Sequence, residues 1–239
     1  GKTLNDLLVP QSALTRQCLT QTFHSEVPHS PSLPSPVLET MSTVEEDGRH
    51  VQHYGAPTHV GTHVDAPLHF VAGGTTIDDI PLSRFAGPAV VLNLQRSESE
   101  EIPLRDVERA AEAAGGIVAG DIVLVRTGWG ECFDDEETYQ RYPWLGPDVA
   151  EWLLERDIRM LAVDTISPDR PRAIRPDGWS DYPHHRTLLP EGVLIAEHLY
   201  LEEVANAGRG LEVMCFPLKL QDGDGAPARF VAQAQSTEQ

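Results

Sequence analysis

The chain has 239 residues, 40% of them hydrophobic and 23% charged, which is enough for one large domain with a real core and ordinary for a globular protein. A formal net charge of −19 repels phosphate backbones and argues against nucleic acid as a partner, and no apolar run approaches the roughly 20 residues of a membrane helix. Three scattered cysteines, Cys18, Cys132 and Cys215, form no C-x-x-C pair, and the start of the chain has no signal-peptide apolar core, so a reducing, cytoplasmic setting is expected.

Residues 1–40 differ from the rest. Pro10, Pro28, Pro31, Pro34 and Pro36 fix φ and remove backbone donors, which predicts an extended, Pro-rich arm that wraps a neighbour or covers a site. Residues 41–239 are expected to form one domain. Ala89–Leu94 is an apolar run that predicts a buried strand. Leu104–Ala114 predicts a helix: Pro103 stands at its start, Val107, Ala110, Ala111 and Ala114 share a face, and Gly115-Gly116 ends it. Asp121–Thr127 predicts a strand stopped by Gly128, Asp148–Arg156 a helix, and Arg159–Val163 and Val193–Ala196 two more strands. Glu212–Gln221 and Ala228–Ala234 flank Asp222-Gly223-Asp224-Gly225, a hairpin signal, and Gln233–Gln239 is expected to be a disordered tail. Strands alternate with helices but also occur in pairs, so the fold class is α/β with a mixed sheet.

The chemistry concentrates between His53 and His69. In His59-Val60-Gly61-Thr62-His63-Val64-Asp65-Ala66-Pro67-Leu68-His69 the polar residues His59, His63, Asp65 and His69 all take odd positions, and apolar residues take most of the even ones. An extended chain puts the two sets on opposite sides, so one face can be buried while the other presents metal ligands. A fully extended chain would separate His59 from His63 by about 13 Å, too far for one ion. The segment must therefore curl, and Gly61 is the residue that allows it. A helical H-x-x-x-H is the rival geometry, opposed by Gly61 and Pro67. Downstream, His184, His185 and Glu197 are the candidates to complete the site. Glu197 closes the apolar run Val193–Ala196, where a buried acid needs a partner. Trp129 sits at a strand end, placed to stack on an aromatic substrate or to pack in the core. Ser167 and Asp169 are suited to orient substrate or ligands, or to make an ordinary turn.

The run His59–His69 fits H-x-G-T-H-x-D-x-P-x-H at every fixed position. With Arg126-Thr127-Gly128-Trp129, the spacing of Asp164, Ser167 and Asp169, and His185-Arg186-Thr187-Leu188-Leu189 followed by Glu197, the chain resembles the cyclase family of metal-dependent hydrolases. That family includes bacterial kynurenine formamidase, isatin hydrolase and some aromatic polyketide cyclases. The resemblance implies a swivelling β/β/α domain and a homodimer or homotetramer. It implies zinc or manganese, one or two ions, held by His59, His63 and Asp65 and, across a bridging Asp65, by His185 and Glu197. It implies His69 as the catalytic acid/base. The expected reaction is hydrolysis of an amide, N-formyl or cyclic amide bond of a small aromatic compound by metal-activated water. The alternatives are cyclase or dehydratase chemistry at the same site, and a non-enzymatic metal- or ligand-binding protein.

Overall fold

The computed structural model describes residues 16–176 and 181–234. In chain order the strands are β1 (Arg16–Cys18), β2 (Val37–Ser42), β3 (Val51–Gly55), β4 (His63–Asp65), β5 (Ala86–Asn93), β6 (Glu101–Ile102), β7 (Ile122–Arg126), β8 (Trp144–Leu145), β9 (Met160–Val163), β10 (Leu194–Glu197), β11 (Arg209–Pro217) and β12 (Gly225–Ala234). The α-helices are α1 (Val44–Asp47), α2 (Leu104–Ala113), α3 (Glu136–Tyr139), α4 (Asp148–Leu154) and α5 (Pro183–Leu188).

One sheet organises the molecule, in the order β1-β12-β11-β5-β7-β9-β10-β4. The long β12 also pairs with β4 through Gly225–Pro227 and with β1 through Val231–Gln233, so the sheet closes on itself like a barrel. The neighbours β5, β7, β9 and β10 run parallel, and the remaining pairs are antiparallel. The fold is thus mixed α/β with a closed, barrel-like sheet and few helices, as the alternation of elements implied.

The parallel strands are apolar throughout because both of their faces are buried. Ala89, Val91, Leu124, Met160, Ala162, Leu194 and Ala196 fill the interior with Val64, Phe85 and Phe230. Their alternates Val90, Leu92, Val123, Val125, Leu161, Val163 and Ile195 face outward, where Val107 of α2, Val149 and Leu153 of α4 and Leu188 of α5 cover them. The α2 helix ends where predicted: Gly115 and Gly116 both adopt positive φ, 96° and 85°, and Gly116 N–H caps Ala111 O at 2.8 Å.

Three expectations are modified. The boundary at residue 40 falls inside β2, which pairs with β3 in an exposed two-stranded ribbon, while residues 1–15 lie outside the described residues. The expected antiparallel pair forms, but β11 stops at Pro217 and not at Gln221, so residues 218–224 make the connection. Gln233 and Ala234 belong to β12, so only residues 235–239 of the expected tail remain, and they lie outside the described residues. Among the described residues no helix is long and apolar enough to cross a membrane.

Candidate metal centre

The site forms where β4 meets β10 on the outer face of the sheet. Val64 points into the core, so period two turns His63 and Asp65 outward. In the antiparallel register Glu197 lies directly opposite His63 and Ile195 opposite Asp65, which brings Glu197 Oε2 to 3.4 Å from His63 Nε2. His59 joins them because the chain bends before β4, with Gly61 at φ 68°. A side chain at Gly61 would be strained by that angle alone. His59 Nδ1 then stands 2.7 Å from Asp65 Oδ1, and His63 Nε2 3.2 Å from the same oxygen. The bend predicted at Gly61 is present, and the segment is strand and turn, not helix.

The second oxygen of Asp65 faces another pair of ligands. His185 Nε2, on α5, is 3.4 Å from Asp65 Oδ2 and 3.4 Å from Glu197 Oε1. His184 is turned away, with its Nδ1 bonded to Asp169 Oδ1 at 2.7 Å, so of the two adjacent histidines His185 is the one in the cluster. His69 ends a single 3-10 turn begun by Pro67, and its ring stacks on His59 with centroids 3.8 Å apart.

Two observations test the fit to a divalent ion. His63 Nε2, Asp65 Oδ2 and Glu197 Oε1 are buried without a hydrogen-bond partner, three orphans that a shared cation would satisfy. The outward nitrogen of each histidine is held by an oxygen: His59 Nε2 by Asp224 Oδ2 at 2.8 Å, His63 Nδ1 by Gly61 O at 2.7 Å and His185 Nδ1 by Asp169 Oδ2 at 2.5 Å. That arrangement orients imidazoles toward a metal and fixes their tautomers. The residues fit, and Asp65 joins the two groups.

The charges respond to this crowding. Burial alone would lower the His59 pKa, but Asp65 and Asp224 outweigh it and raise it to about 10. Burial would raise Asp65; the charge of His59 first, then the close imidazoles of His185 and His63, hold it well below the usual carboxylate range. Burial and the charge of Asp65 push Glu197 upward. Burial draws His69 down to about 4; Asp65 opposes this, while His59 and His185 add to it.

The family described as putative cyclase matches this chain over residues 18–170. The chain belongs to the cyclase family. Among cyclase-family relatives, a kynurenine formamidase from Salinibacter ruber is 35% identical over 174 residues, 73% of this chain and 75% of that protein. Isatin hydrolase A from Ralstonia solanacearum superposes with a TM-score of 0.81 over 93% of this chain and 92% of its own, at 24% identity, a likeness of fold. A structure described as a predicted metal-dependent hydrolase from Bacillus stearothermophilus gives 0.71 at 27% identity, over 93% of this chain and 99% of its own. The kynurenine formamidases among these relatives are, by name, hydrolases of a formamide.

The remaining expected residues are distributed unevenly around the cyclase-family site. Ser167 lines the cleft in front of it. Asp169 does not: it is buried, and its oxygens accept from His184 and His185, so it orients a ligand candidate. Trp129 also lies away from the cleft wall. It packs with Val27, Val60 and Tyr139, and its indole N–H donates to Tyr139 O at 3.1 Å. The core alternative is the one the structure adopts. Asp164 closes β9 and accepts from Thr127 N–H, Thr127 Oγ1 and Gly128 N–H, which pins the turn carrying Trp129. Asp224 was missed. Its Asp-Gly-Asp-Gly setting signals only a turn, yet it also receives Thr58 Oγ1 at 2.8 Å and lies 3.3 Å from His69 Nδ1.

Proposed function

We propose that the protein is a metal-dependent hydrolase of the amide, N-formyl or cyclic amide bond of a small aromatic compound. The observation that carries this reading is the convergence of His59, His63 and Asp65 on one side, and on the other of His185 with Asp65 and Glu197, each 3.4 Å from its Nε2, with His69 within ligand reach of Asp65 and His185. Nitrogen and carboxylate donors of this kind suit zinc or manganese, as one ion or two. When bound, such an ion supplies Lewis acidity and a water whose pKa falls from about 15.7 to about 7.

The chain supplies the rest. Asp224 Oδ2 lies against His69 Nδ1 and aligns the ring that lines the cleft. With its pKa drawn down to about 4, His69 is neutral at pH 7, the form that can accept a proton. It takes the proton of the attacking water and returns it to the leaving nitrogen. Phe70, Tyr142 and Tyr182 supply flat walls to a cleft of about 350 Å³, which suits a compound of one or two rings. The names of the relatives, kynurenine formamidase and isatin hydrolase, support an aromatic formamide or lactam as substrate.

The test is acid release from formanilide and isatin by protein stripped with chelator and then reloaded with zinc or manganese. Turnover should vanish on stripping and return on reloading. Turnover that persists in fully stripped protein would refute metal dependence.

A further inference from the structure

The cleft has two ends of unlike chemistry. Its floor carries Glu197 and His185, both buried. Toward the rim stand two guanidinium groups, Arg172, which is exposed, and Arg175, which is half-buried. Arg175 donates its Nε to Arg170 O at 2.6 Å and lies over the Tyr182 ring at 4.3 Å, which fixes the direction of its fork. Among the described residues neither Arg172 nor Arg175 has a carboxylate within ion-pair distance. The chain holds 37 acidic residues against 18 Lys and Arg, so carboxylate partners are plentiful, and a field of that sign repels anionic ligands. Two guanidiniums that meet no carboxylate among the described residues, lining a concave site, offset that field locally and present forks that match a carboxylate. Phe70, Tyr142 and Tyr182 wall the same space and suit a flat ring.

We propose that Arg172 and Arg175 form an anion subsite, which selects aromatic amides bearing a carboxylate remote from the bond to be broken. The proposal rests on the cleft being the amide-hydrolysing one and names its substrate class. The ring lies among the aromatic walls, its carboxylate meets the arginine forks at the rim, and its amide is left facing His69 and the metal-ligating groups.

Two measurements on the metal-loaded full chain test it. The first is calorimetric binding of 4-aminobenzoate and of its uncharged counterpart 4-aminobenzamide. Charged hydrogen bonds predict that the carboxylate binds about tenfold or more tightly than the amide. Added salt should narrow that gap, and it should close in Arg172→Gln/Arg175→Gln. Arg172→Gln alone, at an exposed position, gives a partial loss and guards against misfolding of the double variant. Equal affinities in the wild type, or a gap that survives in both variants, would overturn the subsite and assign carboxylate binding to the metal. The second measurement is the ratio of kcat/KM for 4-carboxyformanilide to that for formanilide, which should exceed one and fall in the variants. A binding gap without turnover of either substrate would sink the hydrolase reading and leave the subsite. Turnover without a gap would do the reverse.

Discussion

At the scale of single residues, His69 and His59 make separable predictions. His69 lines the cleft and lies within ligand reach of Asp65 and His185, but Glu197 stands against the same His185 and can complete that group in its place. His69→Ala should therefore keep its metal by elemental analysis and lose about a hundredfold or more of kcat, the usual contribution of an acid/base. Loss of the metal together with activity would assign His69 to the ligands instead. His59 sets a pH dependence. Its pKa is raised from 6.5 to about 10 in the ion-free fold, so its contribution to stability is whole below 6.5 and is lost as pH climbs toward 10. Asp224, drawn down chiefly by its hydrogen bond with His59, contributes above its ordinary 3.8 and loses this only in stronger acid. The chelated protein should be most stable between about pH 4 and 6.5, and its Tm should fall at higher pH. A cation must displace the proton on His59, so metal affinity should rise over that same interval, with protons released on binding. Calorimetric metal titrations in two buffers of different ionisation heat measure this. A metal affinity that stays flat between about pH 6 and 9 would contradict the role given to His59.

At the scale of elements, the site depends on β12 approaching β4 closely. A Cβ at Gly225 would sit 2.8 Å from His59 Cε1 and 2.8 Å from Val64 O. The backbone cannot give way, because Gly225 is in register with Asp65. Gly225→Ala should cost about 2 kcal/mol by overpacking and weaken metal binding through displacement of His59. Denaturant unfolding and metal titration read the two effects, and an unchanged midpoint would show that the strands can part freely. Much at this scale was legible in the sequence. The odd–even pattern around His63 and Asp65 anticipated their shared face, and the apolar runs at β5, β7, β9 and β10 anticipated buried strands, because both patterns are local consequences of strand geometry. The ribbon of β2 and β3 was not legible: Met41, Val51 and Tyr54 are exposed on it, so it has no buried face to write a pattern. The pairing of β11 with β12 was legible, but the end of β11 was not, because Asp-Gly-Asp-Gly signals a turn whether the loop is tight or wide.

At the scale of the molecule, metal and fold are linked. A ligand bound only by the native state, present at about 100 times its Kd, adds about 2.7 kcal/mol. For a domain of this size chelation should then lower Tm by about 5–10 °C. A Tm insensitive to chelator would mean that the centre is held by the sheet without help from an ion. The homodimer or homotetramer expected from the resemblance should appear as twice or four times the chain mass in light scattering. The exposed Met41 and Tyr54 of the ribbon, with Val44 of α1, offer it apolar surface. A monomer at micromolar concentration would refute that expectation.

What the sequence determined by itself was local. The period-two placement of ligands around Gly61, the α2 helix stopped by two glycines and the apolar parallel strands each arise within a dozen residues of chain. What only the tertiary structure decided was which distant groups meet. Asp224 reaches His59 across 165 positions because β12 closes the sheet onto β4. Asp169 belongs to the histidines of α5, Trp129 to the core, and Arg172 and Arg175 to the rim of the cleft. Spacing along a chain carries no record of such meetings, since they depend on closure of the whole sheet and not on the pitch of any one strand.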